Sequence, residues 1–398
     1  MDEKERLSED SEETLGSAAE NQSRQQPENM QSPMFFRSAT GQYGGTQPQS
    51  FDGYGTDNGN SHNRTNSIFG NNRQVYPNND PEIYARRGKL IKLGNAVGLP
   101  LCMFFILSYA LNYFIVYVMA AIDINSARHL LSDSNVTYMI DGCISLMLFT
   151  VPYLYTLKST GCAFGQLVPI KKVAPSKAVS LIMLGLGVSV LSVFAANVLE
   201  SYSEALFGAE FKSAAVEYGD GPWSFVIMLL CVGILPALLE EFAIRGVVMG
   251  ALRKHLSDGA AIAISSALFA LLHGNLRQIP FAFGMGLMLG YAVVYSGSLI
   301  PSVIIHALNN CISVVMSYTT GNFSPAAGSV VTLLYFAVAL VIGLCGFIML
   351  IKTDKNALRL STAHSENTRQ NCAWLLSSPW IAVFIIICVV QVIRVQLM

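Results

Sequence analysis

The sequence predicts an all-α fold: a polytopic membrane helical bundle of eight core transmembrane helices, with a ninth candidate span at the C-terminus and a disordered N-terminal tail. Three observations carry that expectation. The 398-residue chain is 52% hydrophobic and only 13% charged, about half the charge of a soluble globular protein. The charge is also uneven, since 22 of the Asp, Glu, Lys and Arg residues lie in residues 1–90 and 29 serve the remaining 308. Too little charge is left to wet the surface of a soluble two-domain enzyme. Finally, the C-terminal three-quarters is a series of apolar runs, each long enough to span roughly 30 Å of hydrocarbon.

The elements follow in order. Residues 1–88 form the tail, rich in Asn, Gln, Ser, Gly and Pro in stretches such as GQYGGTQPQS. Such a segment buries too little apolar area to offset its ordering entropy, so disorder is expected. Residues 1–30 are acidic and carry no apolar h-region, so no signal peptide is expected there. Helices are placed at 96–121, 137–157, 178–200, 223–254, 259–275, 277–296, 298–318, 329–351 and 376–396. The fourth is long and contains Pro236, which predicts a kink. Residues 89–360 thus make the polytopic domain, and 361–398 a linker with the additional apolar helix.

Loop charge orients the set. Arg86, Arg87, Lys89 and Lys92 precede the first helix; Lys158, Lys171, Lys172 and Lys177 follow the second; Arg253 and Lys254 follow the fourth; Lys352, Lys355 and Arg359 follow the eighth. The alternate loops carry mostly acids. A cell-membrane protein with its N-terminus in the cytoplasm is the expectation. No basic patch rises above these membrane-flanking clusters, so no nucleic-acid partner is expected. Eight scattered cysteines without a C-x-x-C pair read as packing residues.

An ionisable group inside a span costs from about 2.5 kcal/mol upward, and so marks a site. Three clusters qualify. In Glu240-Glu241-Phe242-Ala243-Ile244-Arg245, Glu241 and Arg245 share a face and can pair, while Glu240 points about 100° away. In Phe269-Ala270-Leu271-Leu272-His273, the Phe269 ring and the His273 imidazole share a face. In His306-Ala307-Leu308-Asn309-Asn310, His306 and Asn310 form a polar stripe, and Asn309 lies off it, where helix-to-helix bonding is expected. Glu240 lies 14 residues before Lys254 and His273 lies 14 after Gly259, so both sit roughly 21 Å from one turn. His306 and Asn310 enter from the same side, at roughly 12 and 18 Å. Glu240, His273, His306 and Asn310 can therefore converge within the membrane.

A carboxylate, two imidazoles and an amide suit water activation and oxyanion stabilisation. Glu240 takes the proton from water, His306 and Asn310 donate to the oxyanion, and His273 holds the water or binds a metal. Glu240, His273 and His306 also match a hydrolytic zinc triad, so the expected cofactor is either a divalent metal such as zinc or none. H-E-x-x-H, G-x-S-x-G and Walker A sequences are absent.

Taken in order, EEFAIR at 240–245, FALLH at 269–273 and HALNN at 306–310 resemble the CPBP family of intramembrane proteases, the CAAX prenyl endopeptidase and bacteriocin-processing (Abi-type) enzymes. The run SGSLIPSVIIHALNN, 296–310, is similar to the family's approach to its last motif. The resemblance covers about residues 180–350 and implies an eight-helix core that hydrolyses peptide bonds of membrane-associated proteins. It implies that Glu240 activates water beside His273, that His306 and Asn310 complete the site, and that Glu241 and Arg245 support it. Two other classes compete: a non-catalytic immunity or scaffolding protein whose polar cluster holds helices together, and a transporter or proton relay. The Gly286–Gly290 spacing, which a transporter could use, is better read as close helix packing.

Overall fold

The computed structural model describes residues 81–207, 221–320, 323–363 and 367–397. Nine principal helices run through them: α1 Pro81–Ile122, α2 Ser134–Ser159, α3 Pro175–Leu206, α4 Pro222–Leu252, α5 Asp258–Leu272, α6 Gln278–Ser296, α7 Ile300–Thr319, α8 Pro325–Thr353 and α9 Pro379–Leu397. Among the described residues eight are long and apolar enough to cross a membrane, so the chain is a multi-pass membrane protein. The eight include α9 and leave out α5, which ends at Leu272 and not at 275. At 15 residues, α5 rises about 22 Å, short of the roughly 30 Å needed.

The expected tail, residues 1–88, lies outside the described residues up to 80. Its last eight residues are helical, because α1 starts at Pro81 and not near 96. Hydropathy hid this first part of α1, since Arg86, Arg87, Lys89 and Lys92 dilute it. Arg86 is held there by the short helix Thr368–Leu376: its Nη2 donates to Gln370 Oε1 at 3.1 Å, and its guanidinium lies 5.2 Å from the centre of the Trp374 ring.

Helix starts follow the capping chemistry in the sequence. Asp133 accepts from the Asn135 amide at the head of α2, Ser257 from Ala260 at α5, and Ser324 from Ala327 at α8. Pro222 and Pro325 occupy first-turn positions, where a missing N–H costs nothing. Gly297, at φ 67°, ends α6 in the left-handed region. The turn that follows is pinned to the α2–α3 linker. Leu299 N–H donates to Pro169 O at 2.7 Å, and Ser298 Oγ donates to Lys171 O at 2.7 Å.

Close helix packing rests on glycine. A Cβ on Gly286 would sit 2.8 Å from Ser266 Cβ, so α5 and α6 touch through that face, in line with the packing reading of the Gly286–Gly290 spacing. A Gly94–Gly98 pair does the same in α1. A Cβ on Gly98 would fall 2.6 Å from the Trp380 carbonyl carbon, so the start of α9 lies in a groove along α1. Asn95 Oδ1 accepts from the Trp380 N–H at 3.3 Å. Further along the same pair, Tyr109 donates to Gln391 at 2.5 Å and Arg394 donates to Tyr109 at 2.7 Å. Residues 95 to 109 thus run beside 380 to 394 in the same direction, and α1 and α9 are parallel.

The buried core includes Leu101, Phe149, Tyr153, Val247, Val248 and Phe384, from α1, α2, α4 and α9. Outward faces are apolar as well, with Leu333, Val341 and Leu344 of α8 and Ile386 and Val390 of α9 exposed. That surface suits acyl chains. All eight cysteines are free.

Candidate active site

The fourth span is not a uniform α-helix. Its residues Leu229–Ile234 and Glu241–Val248 are π-helical, and the α-helical stretch Leu235–Glu240 between them carries Pro236 in its first turn. Proline lacks the N–H that an α-helix needs and its ring crowds the carbonyl four residues back. A widened turn just before it relieves both, which is the form the expected kink takes. Glu240 and Glu241 fall at the junction where α turns to π, a setting common at functional sites.

Glu241 is saturated. Its side chain is 0% exposed, and Oε1 accepts from Arg245 Nη1 at 2.8 Å and from His306 Nδ1 at 2.9 Å. Oε2 accepts from Ser302 Oγ. Two of these donors come from α7, whose Ser302 and His306 lie four residues apart on one face. The Arg245 guanidinium stacks 4.2 Å from the centre of the Phe269 ring, which covers one face of the charge pair.

Glu240 is placed differently. It is 8% exposed, and its Oε2 faces His306 Nε2 at 3.7 Å. That separation is longer than a direct hydrogen bond. His306 therefore stands between the two carboxylates, tied by Nδ1 to Glu241 and turned by Nε2 toward Glu240. A carboxylate can only accept, so the Nδ1 proton is fixed and Nε2 is the atom presented to the site.

Phe269 joins the second motif to the third. Its ring meets His273 edge-on with centres 4.8 Å apart and His306 edge-on at 5.9 Å. His273 caps α5, and its Nδ1 donates to Phe269 O at 2.9 Å, leaving Nε2 for the site. The chain turns away at Gly274, φ +59°, and Gln391 of α9 packs directly against that glycine. The last motif residue, Asn310, accepts from Asn309 Nδ2 at 3.3 Å through Oδ1. Asn309 in turn accepts from Ser189 of α3 at 2.5 Å, a helix-to-helix bond.

The structure thus brings Glu240, Glu241, Arg245, Phe269, His273 and His306 into one contact network. Asn310 lies one turn from His306, and among the described residues its side-chain hydrogen bond is to Asn309. Sequence spacing paired Glu241 with Arg245 but missed its contact with His306, which needs the α4–α7 crossing. It also missed Ser302, a serine in a helix without any charge nearby in the sequence to mark it. Among the described residues no three His, Cys, Asp or Glu side chains are grouped to hold an ion, so Glu240, His273 and His306 form no ready-made metal set.

Comparison with known proteins places this network in a family context. The family model described as Type II CAAX prenyl endopeptidase Rce1-like matches residues 222–312, the segment from the start of α4 to the middle of α7. That segment holds every residue of the network. The membrane-embedded CAAX protease MroQ of Staphylococcus aureus (strain USA300) is 36% identical over 90 residues, 21% of this chain and 36% of that protein. The match thus spans about a third of the relative's length. No solved structure matches the chain. Both matches support the CPBP resemblance carried by the three motifs.

Proposed function

We propose that this chain is an intramembrane endopeptidase that cleaves membrane-associated protein or peptide substrates with a glutamate-activated water. One observation carries the reading. Of two adjacent buried carboxylates, Glu241 accepts from three donors, while the ion pair of Glu240 among the described residues is with His306, across 3.7 Å. A carboxylate so placed can take a proton from water, and a polar gap of this width suits a bridging water.

In the proposed mechanism Glu240 removes the water proton as oxygen attacks the scissile carbonyl, and returns it to the departing amine. Glu241 holds His306 through Nδ1, so that Nε2 stays aimed at the reacting groups, in the way a carboxylate orients a catalytic histidine elsewhere. The Asn310 amide donates to the oxyanion, His306 joins it as a donor when Nε2 also carries a proton, and His273 positions the water through Nε2. Arg245 offsets the Glu241 charge, and Phe269 spaces the two imidazoles. We further propose that the N-terminal end of α1 faces the cytoplasm, on the distribution of loop lysines and arginines.

The test is cleavage of candidate membrane peptides by the purified full chain in lipid nanodiscs. Glu240→Gln should lower the rate by about 10²–10⁴-fold with unfolding unchanged. Turnover at the wild-type rate by that variant would end the proposal and favour a non-catalytic role for the cluster. A chelator arm with zinc re-addition decides separately whether a divalent ion takes part.

A further inference from the structure

Arg245 has a second neighbourhood. A cavity of about 590 Å³ opens between α4, α6 and the linker after α2, and Arg245, Arg253, Lys254 and Lys171 line it with Asp258 as their one acidic companion. Its size falls in the range of small-ligand pockets. Neither Glu240, His273 nor His306 lines it, so an occupant would not touch the reacting groups.

Two of the four cations are already balanced. Arg253 Nε lies 2.7 Å from Asp258, and Arg245 Nη1 lies 2.8 Å from Glu241. The ammonium groups of Lys171 and Lys254 make no ion pair among the described residues, and both side chains are exposed. Deeper in, Arg245 Nε and Nη2 are buried without a hydrogen-bond partner. These two nitrogens form one edge of the guanidinium, the geometry that grips an oxyanion with two parallel bonds. Arg245 lies within α4 and Arg253 caps its end, and both line the cavity, so charge extends along the wall and not only at the rim.

We propose that this cavity binds a phosphate group. An excess of cations from separate elements suits a tetrahedral anion that accepts several donors at once. The basic end of the bundle, moreover, is where the phosphates of a membrane leaflet lie. Lys171 and Lys254 would meet the phosphate first, with Arg245 at the inner wall. Since Arg245 also neutralises Glu241, occupancy is coupled to the carboxylate that orients His306. The phosphate comes from a lipid headgroup or from a soluble compound, and the two sources are separable.

The experiment uses the purified full chain and reads binding only, so its outcome is independent of the peptidase proposal. Thermal unfolding is followed in inorganic phosphate and in chloride of equal ionic strength, and native mass spectrometry counts phosphatidylglycerol retained from mixed phosphatidylglycerol–phosphatidylcholine vesicles. The comparison is with the double variant Lys171→Gln, Lys254→Gln. A phosphate-specific rise in Tm that the variant loses supports a site for soluble phosphate. Selective phosphatidylglycerol retention that falls about 30-fold in the double variant, about fivefold for each lysine, supports a headgroup site. No phosphate-specific shift and no selective retention in the wild type overturns the proposal, as does any effect that the double variant preserves in full.

Discussion

At the scale of single residues, the two adjacent glutamates should separate stability from chemistry. Glu241→Gln leaves Arg245 charged and fully buried beside a neutral partner. Breaking a buried pair from one side costs about 3–5 kcal/mol, so the Tm of the purified protein should drop sharply. Glu240→Gln, which breaks no close ion pair, should unfold like the wild type while losing turnover. Ser302→Ala strips Glu241 Oε2 of its donor, and an unsatisfied buried acceptor costs about 1–3 kcal/mol. A Ser302→Ala protein as stable as the wild type would show that this hydroxyl is dispensable. Much at this scale was legible beforehand. Glu240, Glu241, Arg245, His273 and His306 stood out because charge and imidazole are costly inside apolar helices. Ser302 did not, because a helical serine can satisfy itself on its own backbone and so leaves no signature in an apolar run.

At the scale of elements, positions where backbones touch should be the intolerant ones. Gly98→Leu places a branched side chain where Trp380 already lies, and Gly286→Leu does so against Ser266. Overpacking of this kind costs about 1–3 kcal/mol and sometimes more, to be read as lower thermal stability in nanodiscs. Gly274→Ala tests a subtler link. Its φ of +59° lies in the left-handed region, disfavoured for an L side chain by roughly 1–2 kcal/mol, and the added methyl would press on Gln391. The expected result is a loss of cleavage out of proportion to the loss of stability, because the turn holds His273. Helix positions were largely readable from hydropathy, and their limits less so. The start of α1 was masked by its own basic residues. The π-helical turns flanking Leu235–Glu240 leave no periodic trace beyond Pro236, since a single widened turn shifts the register by one residue only.

For the whole molecule, direction follows from α1 and α9 lying parallel. Gln370 and Trp374 meet Arg86 at one end, and Arg394 meets Tyr109 further along. Hence Pro81 and Leu397 lie toward opposite ends of the bundle. A tag placed ahead of Pro81 and one placed after Leu397 should therefore differ in accessibility to a membrane-impermeant reagent, with only the second labelled in intact cells. Labelling of both, or of the first alone, would revise the proposed orientation. The sequence left this open, because the C-terminal apolar run could be a ninth span or a peripheral tail; α9 is long and apolar enough to cross. Whether the shorter α5 counts as a span is immaterial: α5 and α6 form a hairpin, joined by the tight turn at Gly274, and it returns the chain to the side it came from.

The groove at Gly94 and Gly98 has a consequence for biogenesis. The helix that fills it is made of the last 19 described residues of the chain, so α1 leaves the ribosome more than 250 residues before the helix that covers its narrow face. Nascent chains stalled ahead of α9 should remain open to quality-control proteolysis, and a separately expressed α9 segment should rescue them.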